Sequence, residues 1–160
     1  MGTYDAQQVC LNGHQVTDSY NRRPEFRSAF CKQCGAATIH ACQACGVAIR
    51  GDYDAPGVVV IGSETSVPKF CHACGQPYPW TSSKIEAAKA LASEVDELTD
   101  ADRILLSSSI DDLIADTPKT SVAIVRFKRL AAKGGKEIAD GFRRTLVDIV
   151  SEAARKSIWG

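Results

Sequence analysis

The side chains best able to bind a soft metal fall into four short pairs, and any fold of this chain has to accommodate them. Cys10 pairs with His14, Cys31 with Cys34, Cys42 with Cys45 and Cys71 with Cys74. Three pairs read C-x-x-C and the first reads C-x-x-x-H. An odd total of seven cysteines, spaced this regularly, does not suit a disulfide scaffold and does suit metal knuckles. With His14 they make eight donors, enough for two complete tetrahedral zinc sites. Gly35, Gly46 and Gly75 follow the C-x-x-C pairs directly. A knuckle turns its amides toward the sulfurs, and the next residue needs a positive φ that glycine adopts without strain. Asn12-Gly13 offers the first pair the same freedom.

An internal repeat suggests which pairs share a metal. Phe30-Cys31-Lys32-Gln33-Cys34-Gly35 returns as Phe70-Cys71-His72-Ala73-Cys74-Gly75. If each copy is the second knuckle of a unit, Cys10, His14, Cys31 and Cys34 form one site, and Cys42, Cys45, Cys71 and Cys74 the other. Between the knuckles of the second unit, Val47–Arg50 and Val58–Ile61 flank a polar, Gly/Pro-containing loop. That pattern predicts a β-hairpin, and knuckle–hairpin–knuckle is the zinc-ribbon plan. Alternatives stay open at this level. Cross-braced pairing, as in RING-type domains, would join the first pair with the third and the second with the fourth. An iron–sulfur cluster could occupy the all-cysteine site. His40, two residues before Cys42, competes with His14 as a ligand, while His72 inside a C-x-x-C loop is expected to face away from the metal. Four protein ligands per ion leave no open position, so two structural Zn²⁺ ions are expected, with no catalytic residue among them.

The stretches Cys10-Leu11-Asn12-Gly13-His14, Pro24-Glu25-Phe26, Phe30-Cys31, Ile49-Arg50-Gly51, Pro56-Gly57-Val58, Phe70-Cys71-His72 and Pro79-Trp80-Thr81 resemble an uncharacterised bacterial family. That family is a conserved domain of unknown function with N-terminal zinc ribbons. The resemblance covers roughly residues 1 to 81. It implies a bacterial cytosolic protein and the same eight ligands, and it carries no activity with it.

The remainder of the chain is different in kind. All cysteines and five of the six prolines precede Thr81, while residues 81–160 are rich in helix-favouring Ala, Leu, Glu, Lys and Arg. The expected class is α+β: tandem zinc ribbons over residues 1–80, then a four-helix bundle or oligomerisation region over 81–160. Ser83-Lys84-Ile85-Glu86 reads as a capping box for a helix reaching Leu98. Thr99 opens the second helix, and Thr117-Pro118 opens a third that stops at Gly134-Gly135. The fourth is expected from Lys136 to Ile158. Ser107-Ser108-Ser109 either breaks the second helix or marks a close helix crossing.

Charge narrows the function classes. Residues 81–117 carry a net −6 and residues 118–160 a net +6, against balanced charge in residues 1–80. Loading seven thiolates with two Zn²⁺ brings the neutral chain to −3, a poor footprint for nonspecific nucleic-acid binding. Arg126, Lys128, Arg129, Lys133 and Lys136 form a basic cluster, and Arg22, Arg23, Arg27, Arg50, Tyr53 and Lys69 lie in ribbon loops that could touch a nucleic acid. No nucleophile elbow, phosphate loop or H-E-x-x-H motif is present, so an enzyme is not expected. The expected function is that of a structural-zinc adaptor or scaffold, with another protein as partner and homo-oligomerisation through the helical half. Nucleic-acid binding is the alternative and is expected to be weak; a RING-like ligase component is a second, requiring cross-braced metals. Met1 to Gln8 lack the basic and apolar regions of a secretory signal, and no apolar run would span a membrane. The expected location is therefore the cytoplasm.

Overall fold

Among the described residues, five short antiparallel strands support the first of two units into which the chain divides, Met1–Ser82 and Ser83–Gly160. They are β1 (Thr3–Ala6), β2 (Gln8–Cys10), β3 (Gln15–Thr17), β4 (Thr38–Ile39) and β5 (Arg50–Asp54). The computed structural model describes residues 1–62 and 64–160. β3, β2 and β4 form one three-stranded sheet, with Val9 opposite Ile39 and Cys10 opposite Thr38. β1 and β5 form a separate two-stranded sheet, with Tyr4 opposite Tyr53.

The second sheet corrects the expected hairpin. Val58–Ile61 forms no strand, and its side chains are exposed. β5 pairs instead with β1, far away in sequence. The partner is chosen by what β1 brings. Tyr4 and Tyr53 meet ring to ring with centroids 4.9 Å apart, and the Gln7 amide donates to the Ile49 carbonyl at 2.7 Å. Arg22 bridges Asp5 of β1 to Asp52 and Asp54 of β5. Cross-strand aromatic and charge pairs of this kind stabilise a sheet in a way that a β-branched run with no buried face does not.

One apolar core serves both ribbons. Val9 from the first packs with Ile49, Tyr78 and Trp80 from the second, beside Cys42 and Cys71. Tyr78 and Trp80 stack at 4.7 Å, and the indole N–H donates to the Pro68 carbonyl at 2.8 Å. Gln7, fully buried, has its amide satisfied: Nε2 donates to Arg50 O, and Oε1 accepts from Gln15 Nε2.

Among the described residues, Asp5 is the buried charge of this unit. Burial would raise its carboxyl, but the amides of Asn21, Arg22 and Ala6, joined by the Arg22 guanidinium, outweigh burial and hold it below the usual carboxylate range. A lowered folded pKa contributes stability that is complete above the ordinary carboxylate pKa and is lost as pH falls through the lowered one. Asp5→Asn should therefore cost about 2 kcal/mol at neutral pH, from the loss of charge-assisted bonds. Urea titrations should show that cost shrinking below pH 4; a deficit constant down to pH 2 would refute the account.

The helices are α1 (Pro79–Ser93), α2 (Asp100–Ile114), α3 (Thr120–Ala131), α4 (Gly135–Leu146) and α5 (Glu152–Trp159). Several expected boundaries move. α1 starts at Pro79, ahead of the Ser83 capping box, because proline lacks the N–H that a first helical turn leaves unpaired anyway. The Tyr78 carbonyl accepts from the amides of Thr81 and Ser82. α1 also ends at Ser93, short of Leu98. α2 is capped by Thr99, whose side chain accepts from the Asp102 amide, and it runs unbroken through Ser107–Ser109. Ser109 is buried and donates to the Leu105 carbonyl at 2.8 Å. α3 begins at Thr120 after a turn at Thr117-Pro118, and the Thr120 hydroxyl donates to the Ala115 carbonyl at 2.8 Å.

The single fourth helix expected over 136–158 is two helices. α4 ends at Leu146, turns through 147–150 follow, and at Ser151 the backbone becomes extended and its amide donates to the Leu113 carbonyl of α2 at 2.9 Å. The Ser151 hydroxyl then caps α5 by accepting from Ala154 N. This break lets Leu146, Ile149 and Val150 all bury themselves in one core, with Leu106, Ile110 and Phe127. Phe127 meets Phe142 edge to face at 5.1 Å. Among the described residues no helix is long and apolar enough to cross a membrane.

Candidate metal centres

The four knuckles share one backbone plan. The first cysteine of each donates its amide to a carbonyl a few residues on: Cys10 to His14, Cys31 to Ala36, Cys42 to Val47 and Cys71 to Gln76, all at 2.8–2.9 Å. The glycine amide returns to that cysteine's carbonyl, from Gly13, Gly35, Gly46 and Gly75. Those glycines have φ between 74° and 91°, the left-handed region the pattern requires. Isolated bridges Phe30–Ala37, Ala41–Ala48 and Phe70–Pro77 close the three C-x-x-C loops. In every pair the first cysteine is buried, while Cys34, Cys45 and Cys74 reach the surface and His14 is half-buried.

The donors gather in two groups of four. Cys10, His14, Cys31 and Cys34 lie within 4.8 Å of one another, and so do Cys42, Cys45, Cys71 and Cys74. Zn–S bonds of about 2.3 Å and Zn–N bonds of about 2.05 Å in a tetrahedron imply S···S edges of about 3.8 Å and S···N edges of about 3.55 Å. In the first group Cys10 Sγ stands 3.8 Å from Cys34 Sγ and 3.5 Å from His14 Nδ1, with Cys31 Sγ 3.6 Å from the same nitrogen. In the second, Cys42–Cys74 and Cys45–Cys71 measure 3.8 and 3.7 Å. Disulfide sulfurs would lie about 2.05 Å apart. The two groups could hold two zinc ions, one each. Adjacent pairs share a group, so the cross-braced arrangement is absent, and with it the basis of a RING-like reading.

His40 does not enter either group. Its ring stacks on Tyr20 at 4.2 Å, and the Arg27 guanidinium lies 4.0 Å from that ring's centroid. His72 is exposed and outside both groups as well.

Polar groups around the sulfurs tune them. Asn12 Nδ2 donates to Cys34 Sγ at 3.3 Å, and the amides of His14, Gln33 and Ala73 approach Cys10, Cys31 and Cys71 at 3.3–3.4 Å. Cys34 is drawn down to about 6, first by the Ala36 amide and then by Asn12. Cys71 is likewise lowered to about 6 by the amides of Cys74 and Ala73. At Cys45 the Val47 amide pulls down, but burial and the crowding of Cys71, Cys74 and Cys42 win and carry the thiol up to about 12. A cluster of four cysteines thus holds some thiolate readily and resists holding four. A dication removes that resistance, and binding it releases protons.

Two contributors escape a reading by ligand spacing. Asn12 looked like a turn former, yet it is a donor to a ligand sulfur. Tyr78 is buried with its hydroxyl hydrogen-bonded to Cys71, and burial followed by the Cys71 charge raises its phenol well above the ordinary value. Its only sequence signal was a lone aromatic between two prolines.

No curated protein and no solved structure matches this chain. The resemblance seen in the knuckles was confined to residues 1–81; the family match runs over residues 3–158 and so takes in the helices too. By that match the chain belongs to the bacterial family described as "Uncharacterized protein conserved in bacteria (DUF2321)".

Proposed function

We propose that the protein is a zinc-stabilised interaction protein: two structural zinc ions hold the ribbons, the ribbons present a surface to another protein, and the helical half self-associates. The observation that supports this most is the closure of the donor sets. Four protein donors at tetrahedral spacing leave no place for a water or substrate, which is the mark of structural rather than catalytic zinc. Exposed apolar side chains on the knuckles, Phe30, Val47 and Phe70, supply contact area for a protein partner. Seven unpaired cysteines suit a reducing compartment such as the cytoplasm.

A nucleic-acid reading has one observation in its favour. Tyr4 and Tyr53 are half exposed, and Arg50 sits 4.8 Å from the Tyr4 ring centroid, an aromatic–cation platform on which a base could stack. The surrounding charge weakens it. Arg22 is spent on three aspartates, Arg27 donates to the Tyr20 carbonyl, and burial lowers the Lys69 ammonium pKa. Two measurements test the proposal. Metal analysis of purified protein should return two zinc ions per chain; one, or stoichiometric iron, would overturn the eight-ligand assignment. Single-stranded RNA at about 0.15 M salt should bind more weakly than micromolar. Submicromolar affinity lost in Tyr53→Ala would put the nucleic-acid reading first.

A further inference from the structure

Val58, Val59, Val60 and Ile61 are four consecutive β-branched residues, 58%, 86%, 64% and 92% exposed, that belong to no strand. Gly57 and Gly62 bound them at φ 78° and 79°, so left-handed turns set the segment off at both ends. An added Cβ at either glycine would meet nothing within 4 Å. The result is a projecting apolar finger followed by Glu64, which makes no ion pair among the described residues. A finger of this kind has nothing to gain in water and needs an occupant.

The helical unit carries a surface of matching character. Leu105 of α2 and Ser121, Val122 and Val125 of α3 line a shallow groove of about 600 Å³, rimmed by Arg126 and Arg129. Val122 and Val125 are 51% and 65% exposed. Neither arginine makes an ion pair among the described residues, although Lys133 beyond them is paired with Asp102. An isologous contact of this groove with itself would bring the arginines of two copies together, so the charge calls for an acidic occupant. Length agrees as well. Four extended residues span about 13 Å, and α3 from Val122 to Arg129 rises about 10 Å.

We propose that the groove receives the Val58–Ile61 finger of a second copy of this chain, with Glu64 of the finger facing Arg126 and Arg129. Two such contacts related by a twofold axis close a dimer. This rests on the self-association in the reading above, giving the helical half of one copy a ribbon segment of the other as its partner, and it does not rest on the zinc assignment, which metal analysis reports separately.

The test uses the full zinc-loaded chain in analytical ultracentrifugation. Wild type should be a dimer. Val59→Asp with Ile61→Asp, and separately Val125→Asp, change exposed positions and should each give a folded monomer with two zinc ions still bound. Mixing these two monomers should give a heterodimer, weaker than the wild-type dimer because only one of its two finger–groove contacts is intact. Arg129→Glu should weaken the wild-type dimer at least tenfold, and adding Glu64→Arg in the same chain should recover it. A monomeric wild type, an undiminished dimer in the finger variant, or a mixture that associates no more than either variant alone at any concentration tested would each overturn the proposal. Of these, only a monomeric wild type would also remove the self-association in the broader reading; in the other two cases that association would lie elsewhere.

Discussion

Cys71→Ser should release metal from both ribbons rather than from one. Tandem closure of the two donor groups suggests independence, since each group closes within its own stretch of chain. The packing removes that independence. Ile49 and Tyr78, which flank the second metal group, share a core with Val9, the neighbour of Cys10 on β2. β5 lies between the second ribbon's knuckles, yet it pairs with β1 at the start of the chain. Structural zinc in small domains is worth about 10–16 kcal/mol of folding free energy, as large as the whole stability of a typical domain, about 5–15 kcal/mol. Loss of one thiolate at the second site should therefore unfold that ribbon and strip Val9 and Trp80 of their packing. A colorimetric zinc chelator should find both ions accessible in the variant and neither in wild type. Circular dichroism should retain most of its helical signal, because the core of Phe127, Phe142, Leu106 and Leu146 contains no residue of the ribbons. Release of a single ion, with the Cys10 group still loaded, would show that the shared core is not what couples the sites. Acid should favour release at both sites, since the thiolates must be free of protons to bind zinc.

Gly51→Ala should destabilise the same unit by about 3 kcal/mol, at the upper end of what overpacking costs. Gly51 lies in β5 where two backbones close on it: a Cβ there would collide with the Asp18 carbonyl oxygen and with the Ala6 carbonyl group. Neither neighbour is a side chain that can swing away. The Asp52 amide donates to Asp18 O at 2.8 Å, and Tyr20 N to Ala6 O at 2.9 Å, so relieving the clash would break the hydrogen bonds joining these segments. Gly35→Ala is the contrasting variant. It meets open space and is strained only by its left-handed backbone, φ 74°, a cost of about 1 kcal/mol. Urea midpoints of the two zinc-loaded variants separate the causes. Equal shifts would mean that close backbone approach at Gly51 is not the constraint described.

Features of this fold divide according to the range of the interactions that specify them. Ligand pairs were legible because a knuckle is local: cysteine spacing, the glycine that follows and the repeated Phe-Cys pattern all lie within six residues. The Thr99 cap was legible for the same reason, being a hydroxyl three residues from the amide it accepts. Ser151 carried an equally local signal, with Glu152 next to it, and the apolar stripe running on through 149–153 obscured it. The partner of β5 was not legible, because β-propensity describes how willing a segment is to pair and not with what.

What the sequence determined by itself, then, was the chemistry of the donors, their four local pairs and the α+β division of the chain, each specified by near neighbours, while the repeat suggested the grouping that the structure settled against cross-bracing. Tertiary structure alone decided that β5 joins β1, that Val58–Ile61 stays unpaired, that the two ribbons share one core, and that the last helix breaks so that Ser151 can bond Leu113. The physical reason is common to all four. Each is a competition between partners distant along the chain, won by the arrangement that satisfies buried polar groups such as Asp5 and Gln7 while covering Val9, Ile49 and Val150, and no window of sequence contains both competitors.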